Sequence, residues 1–255
     1  MSLKEKLTNQ ELSIGSWLTI PHVSIVEILG SAGFEWLAID IEHTAIGIHQ
    51  CFDLIAAIQA NGMKALVRVS KNEEVIIKRV LDAGADGIIV PMVKNRAEAL
   101  QALEYTYYPP RGKRGVGLSR AQRYGIGFDQ YKTHLNNNMI VIAQIEHIDA
   151  VNNIEEIVTT DGIDGIIVGP YDLSGSMGIP GEYQKTNVQK ALQKVEESCI
   201  KLGKSLGFHV IQSDASYLEE KINKGYNFLA FSLDFFFLGD KAREEMKKLK
   251  NLKNE

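Results

Sequence analysis

Eight times along the chain a short apolar, often β-branched run gives way to an amphipathic stretch, and this alternation restricts the fold more than any other feature. The patterning predicts strands at 13–19, 36–41, 64–69, 87–92, 139–145, 164–169, 204–210 and 227–232. Amphipathic helices are expected at 22–32, 48–61, 72–83, 94–106, 149–158, 186–202, 214–224 and 239–250. Successive parallel strands need a crossover, and a helix is the usual one, so eight strand–helix units favour a closed parallel (β/α)8 TIM barrel over an open sheet. Several junctions repeat: "SAGFEWLAID", "DAGADGIIVP", "TDGIDGIIVG" and "NKGYNFLAFS" each set a glycine at a helix end before an apolar strand. That position suits a left-handed C-cap. A dinucleotide-binding sheet is the rival, but "GVGLSR" and "GIGFDQ" lack the third glycine of its fingerprint.

The 255 residues match the size of one such barrel, and no linker divides them, so residues 1–255 read as a single domain. One connection is long: "YYPPRGKRGVGLSRAQRYGIGFDQYKTHLNNN", about 107–138, is expected to be a loop at the rim, over a site, or against another subunit. A hydrophobic fraction of 45 % allows a large core. The 28 Lys and Arg against 32 Asp and Glu, net −4, argue against nucleic acid as a partner. Cys51 and Cys199 are too few and too distant for a disulfide framework or a zinc site, and both fall in apolar helical patterns. No apolar run reaches 18 residues and no secretory signal is visible, so no membrane association and a cytoplasmic location are expected.

Chemistry in a barrel gathers at the C-terminal ends of the strands. There the second strand presents Asp40, Glu42 and His43, the third Arg68, the fifth Gln144, Glu146 and His147, and the sixth Asp172. Taken singly, Asp172 reads as a helix N-cap, Glu146 as a partner for a surface lysine, Arg68 as half of a buried ion pair and His43 as a packed histidine. Their coincidence at one end is what points to a site. Glu146 and Asp172, on neighbouring strands roughly 5 Å apart, repel unless a cation lies between them. One or two carboxylates completed by water is how Mg²⁺ or Mn²⁺ is held. Gly169-Pro170 ends the strand and turns the backbone N–H groups of Tyr171 and Asp172 toward a ligand.

At these residues the sequence resembles the HpcH/HpaI aldolase family of metal-dependent class II pyruvate aldolases. The resemblance runs from about Gly15 to Leu238 on "GFEWLAIDIEH", "VRV", "VLDAGADGIIVPMV", "YPPRGKRGVGLSRAQRYG", "AQIEHIDAVNNIEEI" and "GIDGIIVGPYDLSGSMG". It implies a hexameric (β/α)8 barrel holding a divalent ion (Mg²⁺ or Mn²⁺, with Co²⁺ a further candidate) on Glu146 and Asp172. It assigns catalysis to His43 and to Arg68 as enolate stabiliser. Substrate contacts fall on Trp17 at the pocket floor, Asp40, Arg68, Gln144, Gly169, Pro170, Tyr171 and Asp172. Asp82 matches an aspartate that works with the histidine, yet it lies at the wrong end of its own barrel and can help only from a neighbouring subunit. Ile41 and Tyr171 depart from common family residues, and Tyr171, beside a metal ligand, puts the aldehyde pocket in doubt.

The expected reaction is reversible cleavage of a 4-hydroxy-2-oxo acid to pyruvate and an aldehyde, with His43 as base. Alternatives are an acyl-CoA lyase of the same superfamily and an inactive keto-acid-binding barrel; nothing singles out a CoA site, and Arg111, Lys113, Arg114, Arg120 and Arg123 are expected to join subunits or bind a carboxylate on the aldehyde before an anionic CoA tail. A Schiff-base aldolase would need a lysine in the mouth; Lys64 and Lys204 sit at strand starts and Lys94 is the one near candidate. No G-x-S-x-G elbow supports a serine hydrolase.

Overall fold

The computed structural model describes residues 1–252. Eight parallel strands close into a barrel in sequence order: β1 Ser13–Leu18, β2 Trp36–Asp40, β3 Lys64–Arg68, β4 Gly87–Val90, β5 Ile140–Ile145, β6 Gly165–Val168, β7 Ser205–Val210 and β8 Phe228–Leu233. β1 pairs with both β2 and β8, which closes the ring. β2, β4, β5 and β6 are buried along their whole length. This is why they read as continuous apolar runs instead of alternating ones. The four junction glycines, Gly33, Gly84, Gly162 and Gly225, all have φ between 89° and 101°, the left-handed conformation anticipated for them.

The barrel is filled by an aromatic pair. Trp36 of β2 stacks on Phe228 of β8 with ring centroids 4.4 Å apart and planes 16° apart. The Trp36 indole N–H donates to Ser13 Oγ at 3.1 Å. Room for these rings comes from missing side chains: a Cβ at Gly15 would lie 2.0 Å from the Trp36 ring, and one at Gly207 would lie 2.8 Å from Phe228. Below the pair the N-terminal helix Leu3–Asn9 inserts Leu3 and Leu7 into the same cluster and plugs the floor. With core and floor filled, the mouth at the strand C-termini is the end left for chemistry.

The long 107–138 connection is only partly irregular. It contains a 3-10 turn, Arg120–Gln122, and a helix, Phe128–Asn138, that buries Tyr131 and Leu135. Arg114 fastens it: a fully buried guanidinium donates to Asp82 Oδ1 at 2.7 Å, Tyr131 Oη at 2.9 Å and the Thr106 carbonyl at 3.2 Å. Arg120 reaches the Ala83 carbonyl and Gln59. The segment therefore packs on the N-terminal face of the barrel, away from the mouth of its own chain. The stretch expected as one helix at 149–158 is two, Ile148–Asn152 and Ile154–Val158, broken at Asn153, whose side chain donates to the Lys94 carbonyl. A further short helix, Pro170–Ser176, starts directly after β6, and the last helix begins earlier than expected, at Asp234.

Candidate active site

β2 and β3 build one wall of the mouth. Asp40, the last residue of β2, accepts Arg68 Nε and Nη2 at 2.9 and 2.7 Å, a two-pronged pair between register partners on adjacent strands. Asp40 Oδ1 also accepts the backbone N–H groups of Glu42 and His43, so one carboxylate shapes the turn that follows its own strand. Burial alone would raise the Asp40 carboxyl; the Arg68 guanidinium and these N–H groups outweigh it and hold it below the usual carboxylate range. The Arg68 guanidinium lies 4.5 Å from the centre of the buried Trp17 ring. Its Nη1 makes no hydrogen bond among the described residues.

The facing wall carries the acids. Glu146, the first residue after β5, is 3 % exposed. Its Oε1 accepts the Met92 N–H at 2.7 Å and its Oε2 accepts Gln144 Nε2 at 2.6 Å. Gly169 permits that packing, since a Cβ there would come within 3.0 Å of Glu146 Oε2. Asp172 stands on the exposed first turn of the helix that Pro170 opens, with Gly169 as N-cap, so Asp172 is not itself the cap. Burial pushes the Glu146 carboxyl up to about 7; the Met92 N–H opposes, and the charges of Glu42 and Asp172 add to the rise. Glu42 is likewise pushed up to about 7 by burial, against the nearby Arg68 guanidinium and with help from Asp40 and Asp172. The charges of Glu42, Glu146 and Asp172 thus act on one another across the mouth.

Mutually repelling acids of this kind attract a divalent cation. Among the described residues no three His, Cys, Asp or Glu side chains make a complete ligand cluster. Glu146 and Asp172, however, are the two-carboxylate kind of site that water and substrate oxygens complete. Gln144 Oε1, buried beside them, has no hydrogen-bond donor, and Glu42 Oε2 has only the Arg68 Nε ion pair at 3.3 Å; a cation with its water shell would supply what Gln144 lacks.

Asp40, Arg68, Trp17, Gln144, Glu146, Gly169 and Asp172 thus meet at the mouth. Pro170 and Tyr171 lie at its edge, the Tyr171 ring more than half exposed and packed edge-on against Tyr183 at 5.3 Å. His43 stands at the rim, its side chain 64 % exposed and its Nε2 3.9 Å from Glu42 Oε2. Asp82 is not brought there: it ends the helix Glu74–Asp82 on the opposite face and is paired with Arg114. Lys64 is tied to Asp86 and Lys204 to the Ile163 carbonyl, both at strand starts. Two mouth residues had no assigned role from sequence: Glu42, seen only as a strand-end acid, and His209 of β7, whose ring centroid lies 5.3 Å from that of Trp17. A cavity of about 690 Å³ lined by Gln59, Asp86, Arg120, Tyr124 and His134 opens on the opposite face. Its lining includes one carboxylate, Asp86.

Comparison with known proteins gives the family. The profile of the HpcH/HpaI aldolase/citrate lyase family matches residues 13–238. The chain belongs to that family. It is 32 % identical over 253 residues to 2-keto-3-deoxy-L-rhamnonate aldolase of Escherichia coli, covering 98 % of this chain and 94 % of that protein. An HpcH/HpaI aldolase/citrate lyase family protein from Burkholderia cenocepacia superposes with a TM-score of 0.92 at 30 % identity, covering 97 % and 98 % of the two chains. An HpcH/HpaI aldolase from Desulfitobacterium hafniense gives 0.89 at 29 % identity, covering 98 % and 97 %. As a member of the HpcH/HpaI family the protein is a carbon–carbon lyase, a metal-dependent class II aldolase.

Proposed function

We propose that the mouth cleaves a 4-hydroxy-2-oxo acid to pyruvate and an aldehyde, and runs the reverse condensation. The observation that carries this reading is the pairing of a clamped cation with facing acids: Arg68 fixed by Asp40 on one wall, the buried Glu146 and the exposed Asp172 on the other. A divalent ion, Mg²⁺ or Mn²⁺ with Co²⁺ as a further candidate, would be held by Glu146 and Asp172 and would supply Lewis-acid stabilisation of oxygen charge. Arg68 offers its unpaired Nη1 to the 2-oxo oxygen as that oxygen gains charge, and Asp40 keeps the guanidinium oriented. Gln144 and the first-turn N–H groups of Tyr171 and Asp172, beyond Gly169 and Pro170, orient the substrate carboxylate. Trp17 backs Arg68 at the pocket floor. His43 at the rim takes the proton of the C4 hydroxyl through water when the C3–C4 bond breaks. The sugar-acid aldolase among the relatives supports a 2-oxo acid with a hydroxyl at C4.

We also infer a homo-oligomer, six chains by family likeness. Phe235, Leu238, Met246 and Leu249 form an exposed apolar stripe along the last helix, and Val116, Leu118, Tyr124 and Ile126 expose a second patch. Asp82 joins a catalytic centre only if a neighbouring copy presents it. Two free, buried cysteines accord with a cytoplasmic setting. No helix among the described residues is long and apolar enough to cross a membrane.

Deuterium exchange into the pyruvate methyl group tests the reading. Exchange should require Mg²⁺ or Mn²⁺, stop with chelator and be lost in Glu146→Ala. Exchange that persists in metal-free enzyme refutes it.

A further inference from the structure

His209 occupies an inward position of β7, between Phe208 and Val210, which pack outward into the main core. Its imidazole faces the Ser232 backbone, and its buried Nε2 has no hydrogen-bond partner. Burial and the nearby Arg68 charge push the ring down to about 3, so it is neutral and Nε2 presents a lone pair. Trp17 lies against it with planes 54° apart, and its indole Nε1–H is buried. Among the described residues neither Trp17 Nε1 nor His209 Nε2 has a hydrogen-bond partner. A buried donor and a buried acceptor, both unpaired beside the Arg68 guanidinium, are costly unless a ligand satisfies them.

We propose that Trp17 and His209 form a subsite that reads a hydroxyl group on the aldehyde portion of the substrate. A hydroxyl is the group that answers both at once, donating to His209 Nε2 and accepting from Trp17 Nε1. A carboxylate only accepts and would face a lone pair; a methyl group would leave both nitrogens unpaired. The two rings are direct neighbours, their centroids 5.3 Å apart. The inference rests on the aldolase reading and adds a specificity determinant to it: His209, with Trp17, selects an aldehyde that carries a hydroxyl over an aliphatic one. A site built to hydrogen-bond a hydroxyl rejects the analogue lacking it far more strongly than an apolar pocket rejects a missing methyl.

The test is aldol condensation of pyruvate with lactaldehyde and glyceraldehyde on one side and propanal on the other, for wild type, His209→Leu, His209→Gln and Trp17→Phe. Wild type should favour the hydroxylated aldehydes at least tenfold in kcat/KM. His209→Leu and Trp17→Phe should bring that ratio close to one, and His209→Gln, which keeps a polar terminus, should retain most of it. Effects of Trp17→Phe on Arg68 act on every aldehyde and cancel in the ratio. If His209→Leu does not fold, the Trp17→Phe ratio decides. Pyruvate proton exchange without a hydroxyl preference, or a preference that survives both apolar replacements, overturns the subsite and leaves the aldolase reading standing. Absence of both exchange and condensation overturns the two together.

Discussion

Asp40 accepts four hydrogen bonds, two from the backbone of the turn after β2 and two from Arg68. It makes the arginine a fixed electrostatic element instead of a mobile one. Asp40→Asn would set an amide N–H₂ against the guanidinium and remove the charge that holds it. The exchange rate of pyruvate protons should fall by about 100-fold, the scale typical of losing one oriented charge stabiliser, while the melting temperature changes by only a few degrees. A rate within threefold of wild type would remove Asp40 from the machinery. His209 makes a separate prediction about stability. Its folded pKa, about 3, lies far below the ordinary histidine value of 6.5. Below pH 6.5 the unfolded chain binds a proton that the folded one refuses, so this stability is present above pH 6.5 and is lost as pH falls toward 3. The loss approaches about 1.4 kcal/mol per pH unit at its steepest. Urea unfolding of His209→Leu between pH 6.5 and 4.5 should therefore fall off less steeply than wild type; parallel curves would show that His209 is not a neutral buried ring. Glu146, Asp172, Arg68 and Asp40 were legible in sequence because each ends or follows a recognisable strand. His209 was not, because "KSLGFHV" does not say which residues face inward until β7 is paired with β6 and β8.

Among the elements, the strands were readable to within about two residues, since buried parallel strands are unbroken apolar runs flanked by polar residues. The helix Phe128–Asn138 was not. Only Tyr131 and Leu135 carry its buried face, and its C-terminal turn is a run of asparagines. What makes it helical is tertiary: Tyr131 is held by the buried Arg114, itself neutralised by Asp82 from another part of the chain. A similar dependence governs the strand glycines. Gly207 reads as a weak spot in β7, yet it is where Phe228 enters the barrel. Gly207→Ala should destabilise by about 1–3 kcal/mol through overpacking, lowering the melting temperature by roughly 2–4 °C for each kcal/mol in a chain of this size. Gly115→Ala, where a Cβ would meet nothing within 4 Å, is the control expected within about 0.5 kcal/mol of wild type. Equal shifts in the two variants would mean that β7 is not tightly packed against the Ile166 carbonyl and Phe228, the groups a Cβ would meet at 2.5 and 2.8 Å.

For the whole molecule, closure of the sheet brings β2, β3, β5 and β6 around one opening and sends the 107–138 segment to the opposite face. Among the apolar residues left on the outside, Phe235, Leu238, Met246 and Leu249 share the last helix, and Val116, Leu118, Tyr124 and Ile126 share that segment. A contiguous apolar stripe of this kind marks an interaction surface. Sedimentation of the wild type should show an assembly, and Leu238→Asp combined with Met246→Asp should yield a smaller species. A monomeric wild type would leave Asp82 without any route to a catalytic centre.

The linear order of residues determined the eightfold strand–helix alternation, the barrel class and the acids and arginine at the strand ends, because hydrophobic period and chain punctuation are local properties. Tertiary structure alone decided which of those groups meet. It set Asp40 on Arg68, confined Asp82 to the far face, raised Glu42 beside Glu146 and left Trp17 and His209 with unpaired nitrogens. Such pairings join residues tens to hundreds of positions apart, and only strand register and barrel closure fix the distances between them.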